Sequence, residues 1–388
     1  MYQPVGRQLF NRYSFPVAED SGAGYQTFYY GSKSSLTIDS LEGIDHPGPL
    51  LKYEGKTFDI GRPFCLVIPN GTLLGSSTHK YVSTPVSVHG QIPITSDREA
   101  KWQRDYLERL CQDWLGTLST LYELEIGSTG TSRYSEDIIC PLVMKGSGYG
   151  HWMTEFLPRA EGILKYQEQT DRSVRVLLNG DAPDWIVESL IMVGIEPSKI
   201  SRWNGQTILN HDILYPARRH TIREILADVD HAPDVKIQSN EGLNWVKKRA
   251  LGINTNVRTP RKIYVSRNDV SDKPEFSNER QIRNESELIS LLSQFGFERI
   301  FPAEYTIPEQ AALFAGADEI VIPLGAAMAN LMFAENANVV TIFGEKIHPW
   351  GQYFESLGKI QYDYVRCTEK NGYINVDIDR LKKIIRSR

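Results

Sequence analysis

His151, Glu155 and Arg159 lie four residues apart, so a helix through them places all three on one face. A base, a carboxylate and a cation in one line, led into by Gly146–Ser147–Gly148–Tyr149–Gly150, suit proton abstraction from a hydroxyl. In that reading Glu155 takes the proton, and His151 or Arg159 tunes its charge. The same spacing equally describes a ladder of ion pairs on a solvated helix face. Trp152, Met153, Phe156 and Leu157 fill the other positions and would anchor the helix to a sheet. Pro158 cannot continue the hydrogen-bond ladder, which predicts a kink or an end there.

A second group suits anions. Ser266–Arg267 ends the strand-like run Arg261–Val265, where a guanidinium can hold a diphosphate through two parallel hydrogen bonds and the hydroxyl adds a third. A loop arginine paired with Asp269 or Asp272 is the plainer alternative. Gly325, Ala326 and Ala327, following Leu324, are small residues after a buried run; they let backbone approach a ligand and offer helix N–H groups to an anion. Tight strand–helix packing would favour the same residues. Glu285, Glu287 and Glu309 can each hydrogen-bond a ribose or sugar hydroxyl, or simply sit on a helix N-terminal dipole. The other histidines show no paired spacing, so no protein-held metal is expected; any divalent cation would come with a diphosphate ligand. There is no GxSxG elbow and no phosphate loop of the GxxxxGK type.

These groups need elements to carry them. Residues 261–345 alternate strands and helices: strands Arg261–Val265, Phe297–Phe301, Glu319–Ile322 and Val339–Phe343, with helices beginning near Asn284–Glu285, at Pro308–Gln310 and through Leu331–Met332. Each candidate anion or sugar contact then falls beside a strand's carboxyl end, where doubly wound sheets bind ligands. Residues 138–230 are built similarly, with strands at Ile138–Met144, Val174–Leu178, Gln206–Leu209 and Ile213–Tyr215, and a helix after Pro183. Two such modules face to face leave a cleft. The stretch Asp228–Gly242 is the expected linker. Residues 1–95 are expected to be β-rich, and Ser96–Glu99 is a capping box opening a helix whose Trp102, Tyr106, Leu110 and Trp114 form a packing stripe.

Composition narrows the classes. The chain has 388 residues, 41% hydrophobic and 23% charged, as in soluble globular proteins of about two domains. A net charge of −5 argues against a nucleic-acid partner. Four scattered cysteines make no disulfide framework, and neither a secretory leader nor a membrane span is expected, which points to the cytoplasm.

In order along the chain, these residues resemble the family 61 glycosyltransferases, known in bacteria among capsular polysaccharide biosynthesis proteins. Gly150–Arg159 is similar to that family's H-W-x-x-E/D-x-L-P-R segment, and Val265–Asp269 to its S-R-x-D strand end. Arg280–Leu288 looks like its R-x-I-x-N-E-x-E-L element, and Glu309–Gln310 and Pro323–Phe333 complete the series. The resemblance covers about 140–345 and adds nothing to residues 1–135. One position departs from it: the family usually has histidine after the strand proline, whereas this chain has Leu324, which cannot donate to a phosphate.

The resemblance implies an α/β fold of the GT-B type, with two Rossmann-like doubly wound domains facing across a cleft. Residues 1–235 would form the acceptor-side domain and 236–388 the nucleotide-sugar domain, with the last helix, Val376–Ile385, crossing back. It also implies inverting transfer from a nucleoside-diphosphate sugar, expected to be UDP-linked, to a hydroxyl of a glycan or glycolipid acceptor in surface polysaccharide synthesis. A lipid-linked acceptor would require peripheral contact with the inner face of the membrane. Glu155 becomes the base with His151 as partner or substitute, and Arg159 orients Glu155 or contacts substrate. Ser266, Arg267, Gly325, Ala326 and Ala327 hold the diphosphate; Glu285 and Glu309 contact ribose or sugar, and Asn330 lies in the same substrate-side stretch. Two rivals share the residues: a nucleotide-sugar epimerase, needing no acceptor, and a catalytically degenerate binding subunit marked by Leu324.

Overall fold

The computed structural model describes residues 26–32, 34–37, 57–60, 63–75, 83–86, 137–143, 148–206, 208–216, 240–267, 281–345, 354 and 360–387. The helix expected after Ser96, Cys111 and most of the expected linker lie outside them. What is described is a mixed α/β protein with two principal sheets.

The first sheet has seven strands. In spatial order it runs Gln26–Tyr29, Phe64–Gly75, Ile208–Pro216, Ile138–Pro141, Val174–Asn179 and Ile200–Trp203, with Ser83–Val86 also paired to Phe64–Gly75. The last four in that path are parallel and the N-terminal strands antiparallel. The β-rich start therefore joins the α/β sheet directly. Two short strands expected at 206–215 are one strand, Ile208–Pro216. Asn210 takes a left-handed conformation there, beside a shifted register against Phe64–Gly75, so its polar Asn–His–Asp run marks a bulge instead of a break.

The second sheet is wholly parallel, in the order Glu298–Ile300, Lys262–Val265, Glu319–Pro323, Asn338–Phe343, Gln361–Arg366. By chain order this is 2-1-3-4-5, a doubly wound arrangement whose switch point falls between Lys262–Val265 and Glu319–Pro323. Alternate side chains serve opposite faces, as strand geometry requires. Ile263, Val265, Ile320 and Ile322 meet Ala311 and Phe314 of the helix Ile307–Gly316, while Tyr264 and Val321 meet Leu288, Leu291 and Leu292 of the helix Glu285–Gln294.

A helix not foreseen, Asn240–Leu251, stands between the sheets. Leu243, Val246 and Ala250 are its buried stripe, and Trp245, Lys248 and Arg249 interrupt the apolar pattern that would have announced it. It packs on Leu157–Arg159, Asp184–Val193, Ile307–Gly316 and Ala326–Phe333. One cluster of buried side chains consequently runs from Cys65 and Ile138 through Trp152 and Val246 to Phe314, Ile320 and Met332. The helix Ile378–Arg386, expected to cross back, places Leu381 and Ile385 with Leu288 and Leu291 against the second sheet. Cys65, Cys140 and Cys367 are buried. Among the described residues no helix is long and apolar enough to cross a membrane.

Candidate active site

The chain leaves the first sheet at Pro141 and turns helical at Tyr149, but the helix changes pitch three times. An α turn at Tyr149–His151 becomes a π turn at Trp152–Phe156, then a 3₁₀ turn at Leu157–Arg159, before regular helix over Ala160–Thr170. Pro158 therefore neither ends nor simply kinks the helix; its missing N–H is accommodated where the winding tightens. The segment is held by aromatic packing. Trp152 is fully buried, stacks on Phe156 at 6.0 Å and donates from Nε1 to Ser189 Oγ at 2.7 Å.

This winding joins His151 to Glu155, with Nδ1 and Oε1 2.6 Å apart. Their exposures differ sharply: the His151 side chain is 49% exposed and that of Glu155 only 7%. The imidazole stands outermost and the carboxylate beneath it. Arg159 is buried, lies 4.5 Å over the Phe156 ring and donates from Nε to the Glu155 main-chain carbonyl at 3.0 Å. It thus fixes the turn that carries the acid.

Across from this turn, the structure brings together most of the expected anion-binding residues at the switch point. Arg267 donates from Nη1 to the Leu324 carbonyl at 3.0 Å, joining the carboxyl ends of the two central strands. Gly325 lies directly under the guanidinium: a Cβ there would overlap Nη1 and stand 3.0 Å from Cζ. A side chain at this position would push the Arg267 guanidinium off its bond to Leu324, whereas the glycine's own backbone is extended and suits any residue. Ala326 begins a 3₁₀ helix, Ala326–Phe333, where an α-helix was expected, and Ala326 and Ala327 are the least buried residues of this turn.

Two expected sugar contacts, and Asn330 of the expected substrate-side stretch, have occupations within the fold. Glu285 is buried and accepts hydrogen bonds from Tyr264 Oη at 2.9 Å and Ser266 Oγ at 2.7 Å, so Ser266 and Glu285 are brought together beside Arg267. Burial, then the Glu285 charge, pushes the Tyr264 phenol up and keeps it a donor. Glu309 closes a capping box, accepting from the Thr306 N–H at 2.9 Å and the Thr306 hydroxyl at 2.8 Å; these bonds hold its carboxyl below the usual range. Asn330 is fully buried.

Asn330 instead joins the two sides. Tyr149 Oη donates to Asn330 Oδ1 at 2.5 Å, Asn330 Nδ2 to Gln310 Oε1 at 2.7 Å, and Gln310 Nε2 to the Tyr305 carbonyl at 3.0 Å. Tyr149–His151 packs directly against Ala326–Phe333. The part of Tyr149 was not anticipated, although a polar ring two residues before His151, and Asn330 and Gln310 amid apolar neighbours, were signals available in the sequence. Among the described residues no three His, Cys, Asp or Glu side chains gather as metal ligands.

The turn that carries the imidazole–carboxylate pair packs against Ala326–Phe333, the segment entered at the glycine beneath a guanidinium; the pair can accept a proton, and the guanidinium with the small-residue turn can bind an anion. A sequence model of the family Glycosyltransferase 61 matches residues 149–341, which take in all of these side chains. A search of curated proteins finds no match. Residues 149–341 are therefore a glycosyltransferase 61 domain, and the chain is a glycosyltransferase.

Proposed function

We propose that this glycosyltransferase moves a sugar, with inversion, from a nucleoside-diphosphate sugar, UDP-linked, to a hydroxyl of a glycan acceptor. The observation that carries the reading is the junction of Arg267, the Leu324 carbonyl and Gly325 at the switch point of the parallel sheet. In such sheets a ligand lies outside the carboxyl ends of the strands at that point. Arg267 and the main-chain N–H groups from Gly325 to Ala327 would take the diphosphate, supplying the contact that Leu324 cannot make through its side chain. Ser266 and Glu285 shape this loop from beneath.

The proton goes the other way. As the acceptor oxygen attacks the anomeric carbon, its O–H bond breaks and the bond to the diphosphate oxygen is lost. Negative charge builds on the leaving group, where Arg267 stabilises it. The exposure of the pair favours His151 as the proton acceptor, with the nearly buried Glu155 orienting the ring and stabilising its cation. This exchanges the roles expected from sequence, because the carboxylate lies beneath the imidazole instead of at the surface. A GT-B-like pairing of the sheets, a role in bacterial surface polysaccharide synthesis and work at the inner face of the membrane belong to the same proposal.

Thermal shift against UDP, GDP, CMP and their sugar conjugates tests it. UDP-type ligands are expected to stabilise the wild type and not Arg267→Ala. Stabilisation surviving in that variant would place the donor elsewhere, and none by any nucleotide at millimolar concentration would remove the donor reading.

A further inference from the structure

We infer that Tyr149 is a positioning residue: through Asn330 and Gln310 it sets the turn carrying His151 and Glu155 against the segment that begins at Gly325. The inference rests on the reading above, in which those segments are the two sides of the reacting centre. Its direction is dictated by its far end. The Tyr305 carbonyl can only accept, so Gln310 must present Nε2 to it and Oε1 to Asn330. Asn330 must then donate from Nδ2, which leaves Oδ1 for the Tyr149 hydroxyl. No other orientation of the two amides satisfies every group.

Burial gives the chain its stiffness. Asn330 is fully buried and Gln310 nearly so, where an unmade hydrogen bond is costly. Burial also pushes the Tyr149 phenol up, against the pull of its bond to Asn330, so it remains a donor. The Tyr149 ring rests against Trp185 at 5.5 Å, which leaves the hydroxyl little freedom to wander. Asn330 sits in the 3₁₀ segment entered through Gly325, and Tyr149 precedes His151 by two residues. The Tyr149–Asn330 bond thus ties the turn that carries the proton acceptor to the segment that begins at the anion site, and a displacement of about 1 Å between such groups can cost on the order of 100-fold in rate.

Tyr149→Phe keeps the ring and its packing and removes one hydroxyl. With UDP-glucose and UDP-N-acetylglucosamine as donors, UDP release by this variant is expected to fall about tenfold in kcat, with UDP affinity changed less than about twofold. Asn330→Asp keeps the acceptor for Tyr149 but loses the donor to Gln310; the double variant is expected to be little worse than the poorer single one. Hydrogen exchange of the amides over 150–156, measured without donor, should quicken in Tyr149→Phe. Unchanged kcat and exchange in Tyr149→Phe, or losses that simply add, overturn the inference. Should wild type release no UDP from either sugar, the transfer reading fails for these donors and exchange alone decides the link: quickened exchange retains it and unchanged exchange removes it.

Discussion

His151 covers the carboxylate of Glu155, and that order predicts which substitution costs more. Glu155→Gln retains an oxygen able to accept from the imidazole and loses only charge, whereas His151→Ala removes the group proposed to meet the acceptor hydroxyl. We expect His151→Ala to lower kcat by about 10³ and Glu155→Gln by about tenfold to 10², the former within the range of general-base catalysis, with UDP affinity retained in both. The double variant should resemble His151→Ala, because Glu155 acts through the ring. A steady-state comparison checks this; Glu155→Gln proving the more damaged would return the base to the carboxylate. The residue types and spacing were legible in the sequence, since four-residue steps on a helix admit little else. Which of the two stands outermost was not legible, because relative burial depends on the Trp152–Phe156 packing and on the π turn, neither of which a spacing rule encodes. The cap at Glu309 was legible, since Thr306–Ile307–Pro308–Glu309 has the same spacing as Ser96–Glu99, but the residue was read only as a sugar contact or a helix N-terminal carboxylate.

At the scale of elements, the turn that carries His151 and Glu155 depends on how closely the helix Ala160–Thr170 approaches the first sheet. Gly162 makes that approach possible: a Cβ there would lie 2.7 Å from Cys65 Sγ and 2.7 Å from Tyr30 Cε1. Both neighbours are buried and cannot swing into solvent. Gly162→Ala gains roughly 1 kcal/mol of helix propensity, but overpacking costs roughly 1–3 kcal/mol. The expected outcome is a lower denaturant midpoint, partly restored by Cys65→Ala, which removes one of the two obstacles. A variant at least as stable as wild type would show that the helix can retreat. The elements themselves were read unevenly. Lys262–Val265, Glu319–Pro323 and Asn338–Phe343 are continuous β-branched runs buried on both faces, the pattern of a parallel sheet, and were visible as such. Gln361–Arg366 is an edge strand alternating polar and aromatic residues, and Asn240–Leu251 sets Leu243, Trp245, Val246 and Ala250 among polar and charged residues; both take their structure from the neighbours they pack on.

For the whole molecule, the shared helical layer bears on how the two sheets behave together. Asn240–Leu251 contributes Leu243, Val246 and Ala250 to a core that also contains Trp152, Leu190, Phe314 and Met332, so neither sheet buries its facing helices without the other. Lys247, itself buried, adds a polar tie, donating to the Ala334 carbonyl at 3.1 Å. Two modules joined only by a linker would unfold separately; modules whose helices interleave in one core lose both when either opens. Calorimetry is therefore expected to give one endotherm spanning both sheets, with calorimetric and van't Hoff enthalpies in a ratio near 1. Donor binding at the second sheet should shift that transition as a unit, by mass action on the folded state. Two resolved endotherms, only one of them moved by UDP, would mean that the buried layer divides and that Tyr149–Asn330 bridges bodies able to part. A single endotherm moved by UDP would tie the anion site and the proton acceptor into one cooperative unit, the condition under which a single hydroxyl at Tyr149 can govern their alignment.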